Sequence, residues 1–214
     1  MSLLRLLVML SLLPVLIGLA LPAATLAEEV FFNGRDLTGW RGLNAHWAVR
    51  DGALVGSSQP DGLKFNTFLV SEREYGDFEL RFEVKLEGKL NPNSGVQIRS
   101  QILDEKTWAV KGPQCDIGAG YWGSLFGEHF APGNKHIMLK ASNWAEVKKV
   151  LKADDFNRYE IRAVGKRVTI KINGLTTVDD EFPTLPERGL IAWQLHGGGP
   201  MTVTFRSIQF KALD

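Results

Sequence analysis

The sequence predicts an all-β fold of antiparallel strands closed into a sandwich or barrel. Three observations predict it. Short runs alternate apolar and polar residues, most clearly in Phe78–Leu86, where Phe78, Leu80, Phe82 and Val84 oppose Glu79, Arg81, Glu83 and Lys85. Turn dipeptides separate such runs, Asp51-Gly52 and Asn173-Gly174 among them. Helical periodicity is nearly absent, and only Asn143–Leu151 has modest helical character.

The elements follow in order. Trp47–Arg50 and Ala53–Gly56 flank Asp51-Gly52 and read as a hairpin. Phe68–Ser71 is a short strand. Phe78–Leu86 is a half-buried strand with one wet face. Asn91-Pro92-Asn93-Ser94-Gly95 is a turn. Val96–Ile102 then sets Val96, Ile98 and Ile102 against Gln97, Arg99 and Gln101. Glu105–Pro113 and Phe130–Ala141 read as loops, with Gln114–Ile117 and Gly123–Glu128 between them. Arg158–Val164, Val168–Ile172 and Thr176–Asp180 form a meander, turning at Gly165-Lys166 and Asn173-Gly174. Gly189–Leu195 and Met201–Phe210 are the last two strands.

The N-terminus reads as a secretory signal peptide: Arg5, then apolar Leu6–Leu21, then the small residues around Thr25-Leu26-Ala27, with cleavage expected after Ala27. The expected compartment is the periplasm or the exterior, and residues 28–214 are expected to form one domain. Loss of Arg5 would leave 24 basic and 24 acidic side chains. Such a balance gives no electrostatic reason for a nucleic-acid or membrane partner. Cys115, the only cysteine, excludes an internal disulfide. Its neighbours Gln114 and Asp116 are polar, so alternation sends it to the opposite face as a buried thiol.

The same alternation gathers polar side chains on one face. Gln97 and Arg99 share a face of one strand, Gln114 and Asp116 of another, and Gln194 and His196 of a third. If these strands are neighbours, amides, a guanidinium, a carboxylate and an imidazole form one patch. Amides and arginine suit vicinal hydroxyls, and Tyr121 and Trp122 could stack on a pyranose. Glu128 could bring a second carboxylate. His196 is followed by three glycines, which permit close backbone approach. Plain structural readings stand beside these: a strand-end histidine, a turn aspartate, core aromatics. No phosphate loop, Gly-x-Ser-x-Gly elbow or His-Glu-x-x-His helix occurs. No cofactor is called for. A divalent metal ion could be held by Asp116, Glu128 and His196, whose spacing is not diagnostic.

Five segments together resemble the 3-keto-disaccharide hydrolase domain family. They are Phe32-Asn33-Gly34-Arg35-Asp36-Leu37-Thr38-Gly39-Trp40, Glu74-Tyr75-Gly76-Asp77-Phe78-Glu79-Leu80, Asn93-Ser94-Gly95-Val96-Gln97-Ile98-Arg99, Gly112-Pro113-Gln114-Cys115-Asp116-Ile117, and Gly189-Leu190-Ile191-Ala192-Trp193-Gln194-Leu195-His196. Many relatives carry a Tyr-Glu-x-Gln-Ile type segment where this chain has Gln114-Cys115-Asp116-Ile117. This chain is similar to a subset that pairs Gln-x-Asp-Ile with a Trp-Gly-x-Leu and Glu loop, here Trp122–Leu125 and Glu128. The resemblance implies a two-sheet antiparallel jelly-roll sandwich of the concanavalin A-like kind, sugars as ligands, and cleavage of 3-keto-glycosides.

In such a reaction a base removes the proton at C2, made acidic by the C3 ketone, and the C1 substituent leaves. His196 or Asp116 is the expected base, Glu128 the acid and Arg99 the enolate stabiliser; Gln97, Gln114, Gln194, Tyr121 and Trp122 are the expected substrate contacts. A glycosidase using Asp116 and Glu128, a non-catalytic carbohydrate-binding module and a structural envelope protein are the rival readings.

Overall fold

The computed structural model describes residues 30–214 apart from residue 119. The expected signal peptide lies outside the described residues. Among the described residues, fourteen strands and one helix follow in order. The first six strands are β1 (Trp40–Arg41), β2 (Trp47–Arg50), β3 (Ala53–Ser57), β4 (Thr67–Tyr75), β5 (Phe78–Gly88) and β6 (Asn93–Asp104). Then come β7 (Ala109–Gly118), β8 (Leu125–Ala131), β9 (Lys135–Lys140) and the helix α1 (Trp144–Val150). The last five are β10 (Asn157–Val164), β11 (Arg167–Ile172), β12 (Leu175–Glu181), β13 (Gly189–Leu195) and β14 (Met201–Ala212).

They form two antiparallel seven-stranded sheets. One runs β1-β4-β13-β6-β7-β8-β9, the other β12-β11-β10-β5-β14-β3-β2. This is the expected jelly-roll sandwich. Sequence-adjacent hairpins are split between the sheets, so each sheet also pairs strands distant in sequence. The expected Asp51-Gly52 and Asn173-Gly174 turns join β2 to β3 and β11 to β12, with all four residues at positive φ as such turns require. Asn143 caps α1, its side chain accepting from the Ala145 N–H. No helix among the described residues is long and apolar enough to cross a membrane.

Alternation decides what fills the space between the sheets. Val96, Ile98, Cys115, Ile117, Leu125, Ile191, Trp193 and Leu195 face inward from the first sheet and meet Phe78, Leu80, Phe82, Tyr159 and Phe205 from the second. Trp193 is the hub, its ring 5.3 Å from Phe82, 4.6 Å from Phe205 and 6.0 Å from Trp40. Burying such rings stabilises the fold by roughly 1.5–3 kcal/mol each. Cys115 is fully buried here as expected, and burial pushes its thiol pKa up, away from nucleophilic use.

Two expected loops contain strands. β7 begins at Ala109, inside Glu105–Pro113, and β9 lies inside Phe130–Ala141. β9 has one neighbour and is almost wholly exposed, so no apolar face marks it in sequence.

Candidate active site

The outward face of the first sheet carries the polar residues. Gln194 pairs with Phe68, Ala192 with Gln97, Gln97 with Gln114 and Gly95 with Asp116, so β4, β13, β6 and β7 present one continuous surface. Phe68, Val70, Val110 and Ala192 close part of it as a small apolar cluster. The remainder is a cavity of about 290 Å³, near the lower end of the ~300–1,000 Å³ range of small-molecule sites. Gln114, Asp116, Glu128, Gln194, His196 and Tyr121 line it. So do Asn66, Asn93, Phe126 and His136, which sequence reasoning missed.

Asp116 is the best-held of these groups. Its backbone N–H donates to the Ser124 carbonyl at 3.0 Å, and its carbonyl accepts from the Gly123 N–H at 2.9 Å and the Tyr159 hydroxyl at 3.1 Å. Tyr159 stacks on Phe82 in the core, so the site strand is anchored through the sandwich. Gln114 Nε2 donates to Asp116 Oδ1 at 2.9 Å and lies 3.4 Å from Gln194 Oε1. Burial raises the Asp116 pKa from 3.8 to about 7, against the Gln114 hydrogen bond and with a smaller push from Glu128.

His196 follows β13 on a glycine turn. A Cβ at Gly197 would lie 2.9 Å from the Phe65 backbone, so only glycine permits this approach. Asn66 ties the turn to the far wall: its Oδ1 accepts from Gly197 N–H at 2.9 Å and its Nδ2 donates to Glu128 Oε1 at 3.1 Å. The Nδ1 of His196 bonds the Gly197 carbonyl. A carbonyl only accepts, so Nδ1 carries the hydrogen and the neutral ring keeps its Nε2 lone pair.

Three expected contacts are placed elsewhere. Arg99 does not reach the cavity. β6 bulges between Gln97 and Gln101, where three residues oppose two of β7, and Arg99 takes φ 47°. The bulge redirects its guanidinium to the Gly76, Gly165 and Pro186 carbonyls and Asp77 Oδ1, at 2.6–2.9 Å. Gln97 does not line the cavity; it pairs with Gln114 in the sheet, its carboxamide 2.9 Å from that of Gln114. Trp122 belongs to the core, 6% exposed, while its neighbour Tyr121 is 51% exposed at the cavity mouth.

The metal arrangement also differs from expectation. Among the described residues, the trio able to share an ion is Glu128, His129 and His136, without Asp116 or His196.

No curated protein matches the chain. Among solved structures it is similar to a protein from Parabacteroides distasonis ATCC 8503 provisionally described as a glycosyl hydrolase, at 22% identity and a TM-score of 0.62, covering 86% of this chain and 92% of that one. It is also similar to the carbohydrate-binding module CBM66 from Bacillus subtilis, at 16% identity and a TM-score of 0.57, covering 81% of this chain and 96% of that one. At these identities the likeness is one of fold. Residues 27–211 match the family of 3-keto-alpha-glucoside-1,2-lyase-like domains, and the chain belongs to that family.

Proposed function

We propose that the protein is an exported carbohydrate-active enzyme that cleaves 3-keto-glycosides by elimination across C1 and C2. One observation carries the reading: Asp116, with its raised pKa, and His196 open into the same cavity, between the carboxamides of Gln114, Gln194, Asn66 and Asn93. Two of those carboxamides have an unmet buried atom, the Gln194 Nε2 donor and the Asn93 Oδ1 acceptor. A sugar hydroxyl both donates and accepts, and meets either need. Family membership supports the keto-sugar class of substrate.

In this mechanism His196 takes the C2 proton on Nε2, and the electrons pass to the C3 oxygen as an enolate. The enolate collapses, breaking the bond between C1 and the bridging oxygen. Asp116 gives that oxygen its proton. Water then adds to the enone, its oxygen to C1 and its spare proton to Asp116, while His196 returns its proton to C2, and this yields the 3-keto sugar. Asp116, neutral at mildly acidic pH, takes the acid role expected of Glu128.

The pH dependence follows. An acid must be protonated, so turnover falls about tenfold per unit as the pH rises beyond about 7. The folded-state pKa lies above the ordinary 3.8, so folding takes up a proton between the two values. The contribution of Asp116 to stability is therefore full below about pH 4, is lost as the pH rises toward about 7 and changes no further beyond it. Denaturant melts at pH 5 and pH 8 check this, and Asp116→Asn should flatten the difference.

The same variant tests the acid role. Asp116→Asn should slow cleavage of alkyl 3-keto-glycosides by about 10²–10³ and cleavage of nitrophenyl 3-keto-glycosides far less, because nitrophenolate leaves without a proton. Equal losses on both would remove Asp116 from that role. Tight binding of glycans with no turnover of any keto-glycoside would instead favour the binding-module reading, to which the CBM66-like fold lends support.

Gly95→Ala probes the carboxamide support. A Cβ there would lie 2.7 Å from Gln114 Cγ and Cδ, pushing that flexible side chain off Asp116. Turnover should fall ten- to about a hundredfold, with a stability loss of about 1–2 kcal/mol.

A further inference from the structure

The β8–β9 hairpin carries a second arrangement at the cavity's rim. Glu128 and His129 adjoin in sequence, and a regular strand would point them to opposite faces. Here the pairing slips between Gly127 and Ala131, and His129 takes φ 48°. Both side chains therefore meet His136 of β9. Glu128 Oε1 lies 3.9 Å from His129 Nε2, and Glu128 Oε2 lies 3.6 Å from His136 Nδ1. One donor atom from each falls within 4.8 Å of the other two. The carboxylate is only 4% exposed, and its ion-pair partners among the described residues are these two imidazoles.

The surrounding hydrogen bonds orient the donors as metal sites require. His129 Nδ1 faces the Asn134 carbonyl at 2.9 Å, so Nδ1 carries the hydrogen and Nε2 is left to bind. Asn66 holds Glu128 Oε1 at 3.1 Å and leaves Oε2 available. His136 Nδ1 accepts a long 3.3 Å bond from the His129 backbone N–H, which an ion would readily replace.

We propose that Glu128, His129 and His136 bind one divalent first-row metal ion of the zinc class, with an open position toward the cavity. Two imidazoles and a carboxylate suit Zn²⁺ at about 2.0–2.2 Å, a spacing the side chains reach with small rotations. Glu128 and His136 line the cavity, and among the described residues none that lines it is lysine or arginine. The ion would supply the positive charge beside an enolate oxygen that Arg99 cannot. That use rests on the proposed keto-glycoside reaction, whereas the binding of metal does not.

The test is titration of chelator-treated full-length protein with Zn²⁺ by calorimetry and with Co²⁺ by visible absorption. One ion per chain is expected, with cobalt bands of low-coordinate geometry. His129→Ala and His136→Ala should each weaken binding by about 100-fold or more, while His196→Ala leaves it within about threefold. His129 is half-buried and His136 exposed, so both variants should keep the native circular dichroism and melting curve. No binding up to about millimolar metal, or binding untouched by both variants, overturns the site. Metal bound in the expected way without turnover of any keto-glycoside sustains the site and removes the reaction; keto-glycoside turnover without metal binding does the reverse.

Discussion

Replacing His196 with alanine is expected to lower kcat for 3-keto-glycoside cleavage by about 10²–10⁴, with the melting temperature within about 3 °C of the native protein. The chemical loss is large because the cavity's other imidazole, His136, is engaged at Nδ1 by the His129 backbone N–H and lies beside Glu128. Asp116 has its pKa raised and is the proposed acid, and Glu128 is tied to Asn66 and flanked by two imidazoles. The structural loss is small because the ring is only half-buried and bonds its own neighbour, Gly197. The turn is held without it, by the Gly197 N–H on Asn66 and by paired backbone bonds between Leu63 and Gly198. Added imidazole should restore part of the rate, and a C2-deuterated substrate should lose its isotope effect in the unrescued variant only if another step becomes limiting. A variant that turns over near the native rate would dismiss His196 as the base.

Where strands are regular and half-buried, the sequence made the fold legible. Phe78–Leu86 alternates, and β5 buries Phe78, Leu80, Phe82 and Val84 as that alternation requires. Gln114, Asp116 and Gln194 share a face for the same reason. Legibility ends where the period breaks. Alternation assigns Arg99 to the face of Gln97 only if β6 is straight, and its bulge leaves no mark in the residue pattern. Trp122 and Tyr121 follow a tight turn after Gly118, so neighbouring rings go to the core and to solvent. His136 was hidden differently. Its strand is exposed along nearly its whole length and so has no apolar stripe, although the Pro132-Gly133-Asn134 turn could have suggested a hairpin returning it to Glu128. Asn66 and Asn93 sit at strand starts, where asparagine is common for turn-forming reasons alone.

Arg99→Ala should expose the difference between a residue that touches substrate and one that holds the sandwich together. The guanidinium is 1% exposed and joins the turn before β5, the turn between β10 and β11, and the segment before β13. Truncation leaves three carbonyls without their shared donor and Asp77 without its ion partner. The expected cost is about 3–5 kcal/mol, seen as a fall of roughly 10 °C or more in melting temperature. Lysine at this position should recover only a minor part, because one ammonium cannot span four acceptors set around a planar fork. Turnover per folded molecule, measured well below the melting transition, should stay within about threefold of the native value, since the side chain points away from the cavity through a bulge that alanine can keep. An undiminished melting temperature combined with a collapse in rate would return Arg99 to the substrate. It would also mean that the bulge in β6 opens in solution, and the placement of Gln97 and Gln114 beside Asp116 would have to be redrawn with it.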